Sequence, residues 1–256
     1  MSKELEVAVK AAKIAGETLE YHFDTFLEHE LKEDKSIVTK ADLDADKIIL
    51  KEIEDNFPDH NILSEEGGLI DKESDYTWLI DPLDGTTNFA RGVPHFSTSI
   101  ALQKNEEIQV SVVYNPITNS LFHAEKNTGT YWNEEKVKVS EIDSLEKSII
   151  TTGRARDSKS KEKTLDIYNK LYFKVYSQRI MGSSAIELAW VASGRLESFI
   201  SVGLKRWDVA GGLLLVTEAG GKVTDFKGEK LNPNDSYFVA SNGRIHRELL
   251  DILNKE

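Results

Sequence analysis

Trp78-Leu79-Ile80-Asp81-Pro82-Leu83-Asp84-Gly85-Thr86-Thr87-Asn88 passes from an apolar run to paired acids and then to a glycine-containing turn. The spacing predicts a strand that ends at Asp81, a break at Pro82 and a second carboxylate three residues after the first. Gly85-Thr86-Thr87 then offers backbone N–H groups where a helix can start. Two carboxylates at a strand end beside an anion-binding backbone suit a metal-plus-phosphate site. Hard oxygen donors of this kind select Mg²⁺, whereas zinc asks for imidazole or thiolate. The same residues also suit a plain turn capped by aspartate, since Asp-Gly and proline corners recur in any chain.

Acidic residues elsewhere bear on that choice. Glu65 and Glu66 follow the apolar Ile62-Leu63 and precede Gly67-Gly68, at the mouth of a sheet, where layered α/β proteins place ligands. Asp208, in Arg206-Trp207-Asp208-Val209-Ala210-Gly211-Gly212, opens an apolar helix and serves equally as N-cap or metal ligand. Asp44 and Asp46 read as first-turn acids favoured by a helix dipole. The six histidines form no metal-ligand spacing.

Outward from these motifs, Leu5, Val9, Ala12, Gly16, Leu19, Phe23 and Phe26 advance in steps of four and three and predict one stripe of a long opening helix. A second helix, with Leu43, Ile48, Ile49 and Ile53 as its apolar residues, begins near Asp42 and closes before Pro58. Strands are expected at 61–64 and 76–80, then an antiparallel meander from Phe96 to about Trp132. The second half predicts helices near 159–171, 184–192 and 208–219, strands at 174–179, 196–200 and 237–240, and a closing helix to Leu253 capped by Ser241 or Asn242. Strands and helices mixed throughout give an α+β or layered α/β class, two sheets with helices between and around them.

Composition narrows the function. The 256 residues carry 44 acidic against 32 basic side chains, a formal charge of −12 that argues against broad nucleic-acid or anionic-membrane binding. The absence of cysteine excludes disulfides, thiolate metal sites and a cysteine nucleophile. A charged start without a signal profile, and no apolar run of membrane-spanning length, predict a cytoplasmic protein. Against the acidic average, Arg154, Arg156, Arg179, Arg195, Lys205 and Arg206 crowd into the second half. Most suit solvated surface charge, but Arg154 and Arg156 follow the apolar Ile149-Ile150 and are candidate phosphate or carboxylate readers.

In order along the chain, Ile37-Val38-Thr39-Lys40-Ala41-Asp42, Ser64-Glu65-Glu66-Gly67, Asp81-Pro82-Leu83-Asp84-Gly85-Thr86-Thr87-Asn88, Gly182-Ser183-Ser184-Ala185 and Trp207-Asp208-Val209-Ala210-Gly211-Gly212 resemble the inositol monophosphatase family. That family belongs to the lithium-sensitive superfamily that includes fructose-1,6-bisphosphatase, and the resemblance covers nearly the whole chain. It implies one phosphatase unit over 1–256 with an αβαβα sandwich of the sugar-phosphatase type, usually a homodimer. The half up to about residue 140 would carry most metal ligands; the half from about 141 would carry the substrate pocket and the last metal aspartate.

The implied reaction is Mg²⁺-dependent hydrolysis of a phosphate monoester, with two to three ions per active site. By motif, Glu65, Asp81 and the Leu83 carbonyl would hold one ion, and Asp81, Asp84 and Asp208 a second, while Glu65 reaches a water on a third. Asp42 and Thr86 would orient or deprotonate the attacking water, and the N–H groups of Gly85 and Thr86 would cradle the phosphate. Gly182, Ser183 and Ser184 would line the alcohol side, and the stretch before Ile37 would match a metal-linked loop of relatives. Phosphoryl transfer needs charge neutralisation and alignment more than covalent help, which agrees with the residues present.

Inositol-1-phosphate is the first substrate expected, although Ser201 stands where many inositol-specific relatives have a glutamate. A serine loses the charge-assisted bond to a ring hydroxyl. The pairs Arg154/Arg156 and Lys205/Arg206 would instead suit the second phosphate of a fructose bisphosphate or another sugar phosphate. Two rivals remain. An aspartyl-phosphate phosphatase would place nucleophile and acid two residues apart, unlike Asp81 and Asp84. A regulatory binding protein on the same fold would not require the acids at 65, 81, 84 and 208.

Overall fold

A computed structural model of the chain describes residues 1–23, 29–31, 37–153, 157–232 and 235–255, with the backbone course alone for 29–31. The chain opens with α1 (Lys3–His22), an antiparallel pair β1 (His29–Leu31) and β2 (Ile37–Thr39), and α2 (Lys40–Asn56). There follow β3 (Asn61–Ser64), β4 (Gly68–Ile70), β5 (Tyr76–Asp84) and the single turn α3 (Thr86–Phe89). The meander is β6 (Ser97–Lys104), β7 (Glu107–Asn115), β8 (Ser120–Glu125), β9 (Gly129–Trp132) and β10 (Glu135–Val137). These strands, apart from β1 and β2, form one sheet in the order β10-β9-β8-β7-β6-β5-β3-β4, in which only β3 and β5 run parallel.

The second half supplies β11 (Ile149–Thr152), α4 (Ser158–Tyr172), β12 (Ser177–Arg179), α5 (Ser184–Ala192) and β13 (Ser198–Val202). It ends with α6 (Arg206–Glu218), β14 (Lys222–Asp225), β15 (Tyr237–Ser241) and α7 (His246–Leu253). Its sheet has the order β12-β11-β13-β15-β14.

Side-chain alternation builds five layers. Trp78, Ile80, Ile100 and Val112 of the large sheet bury against the alanine-rich faces of α1 and α2. From the opposite face, Val113, Phe122 and Ala124 meet α5 and α6, which Phe199, Phe238 and Ala240 of the second sheet cover from the other side. Ile150, Ile200 and Val239 then pack outward on Ile167 of α4 and Leu249 of α7. The central helices are covered on both sides, which explains why α5 carries apolar residues almost all round.

Several local expectations are corrected. The strand predicted to stop at Asp81 runs to Asp84: its register against β6 slips between Asp81 and Asp84, and that irregularity accommodates Pro82, which has no N–H to give a ladder. In α2 the buried stripe is Ala41, Ala45, Ile49 and Ile53, and Leu43 is exposed. Helix α1 ends before Phe23, which packs on the core from just beyond the helix, and Phe26 lies outside the described residues. The α7 N-cap is Ile245, without a side-chain cap; Asn242 instead accepts from the N–H groups of Arg244 and Ile245. Strands β12 and β13 begin later than expected, at Ser177 and Ser198.

Candidate active site

The site gathers where β3, β5 and α6 end or begin. The Glu65 N–H donates to the Ile80 carbonyl (3.0 Å), which carries Glu65 past the end of β3 alongside β5. Asp81 leaves β5 on the face shared with Leu79 and Ala210, toward α6. Asp208 sits in the first turn of α6, where one carboxylate oxygen accepts the Lys205 N–H (2.8 Å). The sequence left cap and ligand open for Asp208, and the geometry gives it both opportunities. Carboxylate oxygens of Glu65, Asp81 and Asp208 lie within 4.8 Å of one another, an oxygen donor set that suits a hard divalent cation such as Mg²⁺.

Electrostatics points the same way. Burial, and next the neighbouring charges of Glu65, Asp84 and Asp208, push the Asp81 carboxyl well above the ordinary carboxylate range. A cation among these oxygens would offset the repulsion that raises Asp81.

Asp84 stands beside the trio and is held from the far side. One of its oxygens accepts both the Ser183 hydroxyl and the Ala185 N–H, each at 2.7 Å. Burial raises its pKa to about 6 against the opposing pull of those hydrogen bonds.

A third group centres on Asp42. One oxygen accepts the Thr39 N–H (2.8 Å) and hydroxyl (2.6 Å), and the other faces the Thr86 hydroxyl at 3.0 Å. That hydroxyl is also 3.0 Å from the Leu83 carbonyl, so its single proton has two acceptors to choose between. Burial outweighs the Thr39 hydrogen bonds and lifts Asp42 to about 7. Gly85 opens α3 at φ +99°, and a Cβ there would lie 3.0 Å from the His95 carbonyl oxygen, so the turn requires glycine.

Gly182, Ser183 and Ser184 form the turn that leads into α5 beside Asp84. Two other expected residues have hydrogen-bond partners away from the acids. Ser201 is fully buried and its hydroxyl donates to the Ser236 carbonyl (3.0 Å), so it is spent inside the second sheet. Arg206 turns toward β6, where one of its N–H groups donates to the Gln103 side chain (2.9 Å). Lys205 is exposed, and Arg154 and Arg156 lie outside the described residues, as do residues 32–36 of the expected loop.

Two contributors were missed. The Asn88 side chain donates to the carbonyls of His95 (2.7 Å) and Met181 (2.8 Å), tying the α3 turn to the 182–184 turn. Glu187 is a fully buried acid inside the apolar Ala185-Ile186-Glu187-Leu188-Ala189, and that isolation was the available signal.

This frame of layers and acids is that of the sugar-phosphatase class. The inositol monophosphatase family model matches residues 1–256, and the chain belongs to that family. The fructose-1,6-bisphosphatase/inositol-1-monophosphatase of Thermotoga maritima is 38% identical over 252 residues, covering 98% of this chain and 96% of that protein. A Nus factor SuhB of Pasteurella multocida is 38% identical over 255 residues, again covering 98% and 96%. The solved structure of a Thermotoga maritima IMPase superposes with a TM-score of 0.92 at 37% identity, covering 99% of this chain and 97% of that one.

Proposed function

We propose that the chain is a Mg²⁺-dependent phosphate monoester hydrolase that attacks its substrate directly with water, with inositol-1-phosphate as the first substrate. The observation that carries the reading is the convergence of Glu65, Asp81 and Asp208 beside the Asp42–Thr86 pair. Glu65, Asp81 and Asp208, with Asp84 and the Leu83 carbonyl adjacent, are the residues that would hold the metal. Bound Mg²⁺ supplies the positive charge that acidifies water and neutralises the phosphate.

The chain's own groups do the rest. Thr86 orients the attacking water and passes its proton to Asp42, whose pKa near 7 suits a base at neutral pH. The N–H groups of Gly85 and Thr86 cradle the phosphate, and the Gly182–Ser184 turn receives the alcohol half. No side chain is required as a nucleophile, so no phospho-enzyme forms.

Arg206 gives one hydrogen bond to Gln103 and Ser201 gives its proton to Ser236, so each has a protein partner competing with a substrate group. That favours tolerance among monoesters. A fructose-bisphosphatase activity is the second reading, supported by the double name of the Thermotoga relative. A regulatory binding role on the same fold is the third, supported by the relative named as a Nus factor.

Phosphate release from inositol-1-phosphate, fructose-1,6-bisphosphate, histidinol phosphate and adenosine 3′,5′-bisphosphate, with and without Mg²⁺, tests the reading. Mg²⁺-dependent turnover led by inositol-1-phosphate is expected. A lead for the bisphosphate sugar transfers the assignment to the second reading. No turnover on any ester removes the enzyme and leaves the binding role.

A further inference from the structure

Glu187 is a buried acid near the site that the proposed chemistry does not use. It lies in the first turns of α5, and one of its oxygens reaches back to accept the N–H groups of Gly182 (3.0 Å) and Ser183 (3.2 Å). The other meets the Thr151 hydroxyl, which is also 3.2 Å from the Arg179 carbonyl in the β11–β12 pair. A Thr151 proton given to that carbonyl leaves its oxygen free to accept from a protonated Glu187, and the chain of donors closes with no charge. Burial pushes Glu187 up to about 8, which agrees with that arrangement.

The turn held this way is the turn that holds Asp84. Ser183 and Ala185 place two hydrogen bonds on one Asp84 oxygen, and the carboxylate is near enough to Glu65 to feel its charge. On the opposite flank the Asn88 side chain grips the Met181 carbonyl, and Gly182 sits between at φ +85°. We propose that Glu187 is a positioning residue: by fixing the Gly182–Ser183 turn it sets the orientation of the Asp84 carboxylate and so tunes Mg²⁺ uptake from the second sheet. This rests on the metal site described under the proposed function.

The test is Mg²⁺ titration by calorimetry, without substrate, of wild type, Glu187→Gln and Glu187→Leu, each checked for fold by circular dichroism. Glutamine keeps an acceptor for the two N–H groups and donates to Thr151, so binding within about twofold of wild type is expected. Leucine leaves both N–H groups unmet, so weakening of about tenfold or more is expected. Should the leucine variant not fold, Thr151→Val, which frees one Glu187 oxygen, is read in its place, with about threefold weakening expected. Unchanged binding in the folded leucine or valine variant overturns the inference, as does a glutamine variant as weak as leucine. A wild type that takes up no Mg²⁺ sinks the proposed metal site itself, a result distinct from equal binding by wild type and variants.

Discussion

At the scale of single residues, the site sets carboxylates close together and gives Asp42, Asp84 and Asp208 different hydrogen-bond partners. Asp81 has the most acidic neighbours, and replacing it tests whether shared negative charge holds the cation. Asp81→Asn is expected to lose nearly all turnover even at saturating Mg²⁺, with weakened Mg²⁺ binding by calorimetry; substantial activity there would refute its place as a bridging ligand. Thr86 makes a finer case because its hydroxyl has two acceptors at equal distance. Thr86→Ala is expected to lower kcat by about a hundredfold or more, and Thr86→Ser to restore most of it, since the hydroxyl alone is asked to act. Wild-type turnover in the alanine variant would leave the Asp42–Thr86 pair without a catalytic role. The acids were legible in the sequence as separate clusters at strand and helix ends, each of which also suited a turn or a cap; their convergence is made by the fold. Glu187 was not, because its partners are backbone N–H groups and a threonine whose proximity only the fold creates. Ser201 needs the fold for a related reason: a motif gives a position along the chain, whereas the Ser236 carbonyl decides where its proton goes.

At the scale of elements, α6 joins the acid cluster to the core. Gly211 lies against Ser99 of β6, and a Cβ on Gly212 would stand 2.4 Å from the Leu188 Cβ of α5. The two glycines let a helix pack between a sheet and another helix with almost no gap. Gly212→Ala is expected to destabilise the protein by about 1–3 kcal/mol in urea unfolding, as overpacking does, with helix content preserved. An unchanged midpoint would show that α5 can shift at no cost. The long helices and the meander were legible because their apolar periods run over many residues. Strands β4, β10 and β14 gave no such signal: each is three or four residues long at a sheet edge, and pairing rather than pattern makes them strands. The Leu43 error is also local, since Ala41 and Ala45 are small enough to be overlooked as the buried face.

At the scale of the whole molecule, buried acids and a buried histidine set opposing pH dependences. Raised pKa values at Asp42 (about 7), Asp84 (about 6) and Glu187 (about 8) mean that the folded chain binds protons which the unfolded chain releases. Their stabilisation is present at low pH and lost as the pH rises through those values. His246 runs the other way: with Ser241 at one ring nitrogen (2.7 Å) and Thr224 at the other (2.9 Å), burial lowers it to about 4. Its contribution is present at neutral pH and lost as the pH falls from about 6.5 toward 4. Three acids outnumber the one histidine, so thermal unfolding of the ion-free protein is expected to move to lower temperature as the pH rises from about 5 to 8, and Mg²⁺ to raise Tm more at pH 8 than at pH 6, because at the lower pH the cation must displace protons. A Tm that climbs steadily from pH 6 to 8 without Mg²⁺ would contradict the raised values at Asp42, Asp84 and Glu187.

The same layering would make a bound metal a fastener. Glu65 and Asp81 come from the large sheet, whereas Asp208 comes from a helix wedged against both sheets and distant in the chain. A cation gripping all three would stitch the two parts of the polypeptide together. If the backbone were cut between Val137 and Ile149, neither fragment would own a complete set of donors. Divalent ions would then govern whether the pieces reunite, and chelation would read out the docking of one sheet on the other.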